Sequence, residues 1–429
     1  MNKGDNDRIP CHFPWTSVYL APNGSVKHCC NTNISSLGNL NESSFAEIWN
    51  GDSYKFVREK ISAGDFEGAH CNPNCEGLRT GKGYPWPEEA SGSQAIVSNE
   101  QKGRQNFHNT QSIIDHYPLF LQLEFTNNCN LRCVMCFYEF KPPYDIITDQ
   151  AVEKILDVSG YAKTVALMGG EVFMNKCDLR FIDSYTQEEG ATMGFITNGT
   201  YLNDHIVEKL KKYKSMWMQI SIDGAEKEVY EKVRRKGNWD VVDRNIRQIV
   251  KQSRELNASG YNWSISLSYV VMASNLKDLP NAIAYATGLN IPIGFYPVKG
   301  FHLLDENIFV YSKVRNFNSD WRSILDKSYE LLELNKNTYS YAKSVLLCLD
   351  DIKNCLEGPK INRPPRWLFS FARFLFRSDA DKKAQGLSVK DRKTGHLIEL
   401  YYNWRTGGLS LKSILKYVFF KMRKRFRKN

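Results

Sequence analysis

Three cysteines spaced Cys129-x3-Cys133-x2-Cys136 stand directly after a strand-like run, Pro118–Phe125, and no other feature constrains this 429-residue chain as strongly. Three thiols in so short a loop have no packing rationale, whereas soft metal centres use such sets. The pattern around them alternates. Strand-like runs at Pro118–Phe125, Thr164–Met168, Thr192–Thr197, Trp217–Ile222, Ser264–Val271 and Ile293–Tyr296 are separated by helical periodicity at Asp149–Ser159, Leu202–Tyr213, Lys227–Arg234 with Trp239–Leu256, and Leu279–Thr287. Strands alternating with helices predict an α/β fold, here a partial (β/α)6 barrel with a parallel sheet. Reactive groups in such folds sit past the C-terminal ends of the strands, where the cysteines fall.

The eleven cysteines are unevenly spread: Cys11, Cys29, Cys30, Cys71 and Cys75 lie in the first 75 residues, and Cys177, Cys348 and Cys355 stand apart and read as ordinary buried thiols. The opening run Met1–Asp7 is polar and has no secretory pattern, so a cytoplasmic location and metal binding are expected rather than disulfides. No apolar run approaches the ~18 residues of a membrane span. Eight Lys or Arg and no acid lie in 411–429, and without them the net charge of +10 falls to +2. The basicity therefore belongs to the tail and not to the alternating region.

The chain is divided accordingly. Residues 1–78 form a small Cys-rich module, with a hairpin at Val18–His28 turning on Pro22-Asn23-Gly24 and a helix over Ser43–Ile61. Residues 79–114, poor in apolar residues, read as a linker or long loop. Residues 115–310 hold the alternating core, and 311–429 a helical extension with a basic amphipathic tail.

Three thiolates fill three corners of a 4Fe–4S cube and leave one iron open to a small molecule, whereas an electron-carrying cluster has four Cys ligands. A single zinc ion asks for a fourth ligand, and none stands nearby at finger spacing. Further motifs follow in order. Gly169-Gly170-Glu171 comes after the second strand, Thr197-Asn198-Gly199-Thr200 after the third, and Ser221-Ile222-Asp223-Gly224 ends the fourth, with Arg234 in Tyr230-x3-Arg234 beyond. Taken singly these are a turn, a helix cap and a solvated arginine; their joint order carries the reading.

With these motifs, residues 117–300 resemble the radical S-adenosylmethionine (SAM) superfamily. The resemblance implies that Cys129, Cys133 and Cys136 hold a catalytic 4Fe–4S cluster whose open iron chelates SAM. It implies that Gly169 and Gly170 let backbone approach the ligand, Glu171 meets the methionine ammonium, Arg234 its carboxylate, and Asn198 and Ser221 the ribose or carboxylate. One electron then breaks a C–S bond of SAM and releases a 5′-deoxyadenosyl radical. Met135 stands where the family usually has an aromatic residue, and Val172 where it commonly has Pro.

The N-terminal pattern Cys11-x12-Gly24-x4-Cys29 and Cys71-x3-Cys75, with Gly38-Asn39-Leu40, Glu47-Ile48-Trp49-Asn50 and Arg58, resembles the SPASM or twitch modules that hold auxiliary 4Fe–4S clusters. It implies Cys11, Cys29, Cys71 and Cys75 as ligands, with Cys30 an alternative to Cys29 and a structural zinc knuckle the competing reading. In familiar members the module follows the core; here it precedes it. The resemblance further implies a flavodoxin or ferredoxin reductant and a peptide substrate, with a sugar or other metabolite as the alternative. A non-catalytic iron–sulfur protein of the same fold associated with a membrane is the rival class. The basic tail reads as a solvated charge run, as an interfacial helix on the inner face of a membrane, or, least favoured, as a nucleic-acid contact.

Overall fold

The structure is a computed structural model that describes residues 11–360 except 74, 88–89, 139–141, 300–302 and 304. The aromatic stretch at 367–376 and the basic tail lie outside the described residues. Strands, in chain order, are β1 (Ser17–Leu20), β2 (Ser25–Lys27), β3 (Gly38–Asn39), β4 (Phe120–Glu124), β5 (Arg132–Cys133), β6 (Thr164–Met168), β7 (Thr192–Thr197), β8 (Ser215–Ser221), β9 (Arg234–Arg235), β10 (Asn262–Val271) and β11 (Ile293–Pro297). Two compact units interleave along the chain: one drawn from 1–130, 140–220 and 241–265, the other from 131–139, 221–240 and 266–429.

In the first unit, β8, β7, β6, β4 and β1 lie side by side as parallel neighbours, and β2 and β3 extend the sheet from β1 as antiparallel strands. The apolar runs of the core strands are buried as the sequence predicts: Leu121 and Leu123 on β4, Val165 and Leu167 on β6, Met193 and Phe195 on β7, and Met216, Met218 and Ile220 on β8. Each such side chain contributes about 1.5–3 kcal/mol on full burial. Helix Asp149–Ser159 begins where Thr148 Oγ1 accepts the Ala151 N–H at 3.2 Å, and buries Val152, Ile155 and Val158.

β1 pairs in parallel with β4, Ser17 opposite Phe120 through Leu20 opposite Leu123. The Cys-rich segment is thus built onto the edge of the core sheet, an attachment that local periodicity does not report. The hairpin β1–β2 forms as predicted. The helix expected over Ser43–Ile61 is instead two, Phe45–Trp49 and Asp52–Ser62. Between them the Asn50 amide is drawn to Ile114, donating to its carbonyl at 2.8 Å and accepting its N–H at 3.0 Å. Buried Arg58 fixes the second helix, donating to the carbonyls of Pro14 and Ser112 at 3.0 and 2.9 Å.

The loop reading of 79–114 is corrected: Gln94–His108 is a helix. Its polar composition conceals a buried face whose polar groups all have specific partners. Asn99 accepts the Tyr117 N–H and donates to the Tyr117 and Tyr161 carbonyls; Glu100 accepts from the Trp86 indole at 2.6 Å; Asn106 donates to Asp115. Buried polar groups so satisfied cost little, and composition alone does not distinguish them from solvated ones.

In the second unit β5 and β9 form a two-residue antiparallel pair, and residues 267–271 of β10 pair in parallel with β11. Helices Ser312–Phe317, Trp321–Leu334 and Ala342–Glu357 follow, the last two packing on helix Leu279–Leu289 and on β11. The described part of the C-terminal extension is therefore helical, as expected. Among the described residues no helix is long and apolar enough to cross a membrane. None of the eleven cysteines is in a disulfide, but only Cys177 is buried; Cys355 is exposed and Cys348 intermediate.

Candidate functional site

Cys129 lies in the first unit, in the segment that leaves β4. The turn after β6 is laid directly on that segment. Gly170 donates its N–H to the Thr126 carbonyl at 2.9 Å, and Glu171 donates to the Asn128 carbonyl at 3.0 Å. Gly169 has φ +125°, and a Cβ on Gly170 would come within 2.0 Å of the Asn128 oxygen. The glycine pair does permit a close approach, but the partner in this chain is its own backbone leading into Cys129.

Glu171 is fully buried. Its Oε1 accepts from Thr197 Oγ1 at 2.6 Å and the Phe173 N–H at 3.3 Å, and its Oε2 accepts the Asn198 N–H at 2.8 Å. The carboxylate therefore ties the end of β6 to the end of β7.

The Asn198 side chain is held in turn. Its Oδ1 accepts from the Thr200 N–H and hydroxyl at 3.0 and 2.6 Å, which aims Nδ2 at Asn130 Oδ1, 2.9 Å away, and at the Cys129 sulfur, 3.7 Å away. Asn130 and Thr200 complete this network at 3.0 Å. Neither has a role of its own in the sequence reading, although Thr200 closes the Thr197-Asn198-Gly199-Thr200 motif and Asn130 ends the Asn-rich run Asn127-Asn128-Cys129-Asn130.

Cys133, Cys136, Ser221 and Arg234 lie in the second unit. The β5–β9 pair sets Cys133 opposite Arg234, and Val134 donates to the Val233 carbonyl at 2.9 Å. The Cys136 N–H turns back to the Cys133 carbonyl at 3.2 Å. Arg234 Nη1 lies 3.9 Å from the Cys133 sulfur, and Nη2 lies 2.6 Å from Asp223 Oδ2, with both side chains buried. Asp223 is fixed by the Val270 N–H, donated to its Oδ1 at 2.7 Å. Burial alone would depress the Arg234 guanidinium, but Asp223 and the Cys133 sulfur outweigh it and hold the group charged. Arg234 Nε is buried with no hydrogen-bond partner among the described residues, a donor left over for an anionic ligand. Ser221 Oγ accepts from Ser268 Oγ at 3.0 Å. Asp223, read from the sequence as part of a motif or a helix cap, is the residue that orients Arg234.

The four N-terminal cysteines come together within the first unit. Cys11, Cys29, Cys71 and Cys75 line one cavity with His28 and Tyr84, while Cys30 is exposed and does not line it. Burial pushes the Cys11 and Cys29 thiols up to about 12 and the Cys71 thiol up to about 11, with neighbouring thiols adding to the effect. His28 is buried, its pKa lowered to about 4 by desolvation and Lys27, and its Nδ1 has no partner among the described residues. Four soft donors and an orphaned nitrogen around one cavity fit a bound iron–sulfur group. Among the described residues no three His, Cys, Asp or Glu side chains gather tightly enough for a single metal ion.

Residues 123–261 match the radical SAM superfamily, and residues 11–76 match the SPASM iron–sulfur cluster-binding domain. The chain carries a radical SAM domain with an SPASM domain on its N-terminal side, and these domains imply 4Fe–4S clusters and SAM as cofactors. It is 27% identical over 193 residues to Fe-coproporphyrin III synthase of Methanosarcina barkeri, a match covering 43% of this chain and 46% of that protein. It is 30% identical over 127 residues to the antilisterial bacteriocin subtilosin biosynthesis protein AlbA of Bacillus subtilis, covering 28% of each. The solved structure of Streptococcus suis SuiB bound to precursor peptide SuiA aligns with TM-score 0.34 at 15% identity, covering 65% of this chain and 62% of that one. The matches thus span about half or less of these curated relatives' own lengths.

Proposed function

We propose that this chain is a radical SAM enzyme whose catalytic 4Fe–4S cluster is held by Cys129, Cys133 and Cys136. One observation carries the reading. Within each unit, a cysteine of the triad lies beside a side chain that the motif order independently assigns to the cofactor: Asn198 beside Cys129, and Arg234 beside Cys133. When bound, the cluster supplies the electron that cleaves SAM to the 5′-deoxyadenosyl radical, which takes a hydrogen atom from the substrate.

The chain's own residues do the rest. The Arg234 charge favours the thiolate form of Cys133, and its remaining donors suit the methionine carboxylate. Asn198 Nδ2 donates toward the Cys129 sulfur, and Ser221 offers a hydroxyl to the ribose. Glu171 sets the two strand ends and presents its negative charge to the methionine ammonium. Cys11, Cys29, Cys71 and Cys75 hold an auxiliary cluster that relays electrons, since four sulfurs leave no iron open. A low-potential donor such as flavodoxin or ferredoxin reduces the enzyme in the cytoplasm.

The substrate proposed is a peptide, supported by the likeness to the subtilosin biosynthesis protein. A porphyrin-like or other metabolite is the second reading, supported by the likeness to Fe-coproporphyrin III synthase over a longer segment. Anaerobic reconstitution followed by dithionite tests the activity: the protein forms 5′-deoxyadenosine from SAM, and Cys129→Ala/Cys133→Ala/Cys136→Ala does not. Continued formation by that variant overturns the assignment. Stimulation of SAM cleavage by a peptide or by a porphyrin separates the substrate readings.

A further inference from the structure

Tyr84 carries a hydroxyl into the cavity of the four N-terminal cysteines, and it lies beyond the 11–76 segment that matches the SPASM domain. It is held at both ends. Its carbonyl accepts the His12 N–H at 3.2 Å, and its main chain bridges in parallel to Cys11. Its ring lies 4.9 Å from that of Phe13 and covers Gly77, where a Cβ would come within 2.6 Å of the ring. Its hydroxyl accepts the Gly77 N–H at 3.4 Å and stands 3.7 Å from the Cys75 sulfur.

The direction of that last contact depends on the state of the cysteine. A Cys75 thiol donates to the hydroxyl. A thiolate bound to iron has no proton to give. The hydroxyl, already accepting from Gly77, then has its own hydrogen free for the sulfur. Reduction of a cluster adds negative charge that spreads onto its sulfurs, so a donor at one sulfur favours the reduced state.

We propose that Tyr84 is a positioning residue of the auxiliary centre, donating an O–H···S hydrogen bond to the Cys75 ligand and raising the reduction potential of the cluster. The inference rests on the reading that Cys11, Cys29, Cys71 and Cys75 hold that cluster.

The test uses the full chain with Cys129→Ala/Cys133→Ala/Cys136→Ala, so that only the auxiliary cluster remains. Redox titration followed by electron paramagnetic resonance gives its midpoint, and iron analysis gives its occupancy. Adding Tyr84→Phe leaves iron at about four per chain and moves the midpoint down. At the parent's midpoint, the reduced-to-oxidised ratio falls about fivefold, the worth of one hydrogen bond of about 1 kcal/mol. An unmoved or raised midpoint at full iron overturns the proposal. Should Tyr84→Phe fail to hold iron, fluorotyrosine at position 84 decides. This stronger donor of nearly the same shape raises the midpoint, and an unmoved or lowered one overturns the proposal. If the triad variant itself holds no iron, the underlying reading of the four cysteines fails instead.

Discussion

Arg234 places one guanidinium nitrogen 3.9 Å from the Cys133 sulfur, while its other terminal nitrogen is clamped at 2.6 Å by buried Asp223. Asp223 thus sets where a positive charge sits beside a triad thiol. Asp223→Ala leaves that charge buried without its partner and is expected to cost about 3–5 kcal/mol. Urea denaturation of the cluster-free protein measures it; an unchanged midpoint would show that the pair adds nothing.

Glu171 accepts from three donors of its own chain, so its first effect is on the fold. Glu171→Gln turns an amide NH2 toward at least one of the Thr197, Phe173 and Asn198 donors. A loss of about 1–3 kcal/mol is expected even without iron or SAM. Chemical denaturation of the metal-free chain checks this, and a stable variant defective only in SAM binding would refute it.

Gly170 has backbone rather than ligand as its neighbour. Gly170→Ala pushes on the Asn128 carbonyl and displaces the segment entering Cys129. Iron per chain is expected to fall from about eight to about four, the auxiliary cluster remaining. Full iron after anaerobic reconstitution would mean the segment yields without harm.

Cys29 and Cys30 are adjacent in sequence but only Cys29 lines the cavity. Cys29→Ala should lose about four irons and Cys30→Ala none. Reversal of that order would exchange their roles.

His116 lowers acid stability. Its Nε2 donates to the Trp15 carbonyl at 2.7 Å, and its Nδ1 accepts from Asn106 Nδ2 at 2.9 Å. Burial above all lowers its pKa to about 4, from an ordinary 6.5. The folded state therefore binds fewer protons than the unfolded one, so this contribution is complete above pH 6.5 and is lost as pH falls toward about 4, with a slope of at most ~1.4 kcal/mol per pH unit. The urea midpoint of His116→Gln should depend less steeply on pH in that window; an equal slope would discount His116.

Much of this protein is decided by residues near one another in sequence. The strands Thr164–Met168 and Thr192–Thr197 have the predicted bounds because β-branched and apolar runs report burial locally. The triad and Gly169-Gly170-Glu171 are legible because their chemistry is written in covalent spacing. Tertiary structure alone decided what these residues meet. It set Cys133 opposite Arg234, 101 positions away, gave Glu171 its partners on β7, joined β1 to β4, and turned the polar run 94–108 into a helix whose amides are satisfied by Tyr117 and Tyr161. Periodicity records which side of an element is buried, whereas a hydrogen bond between distant segments depends on where the whole chain brings them.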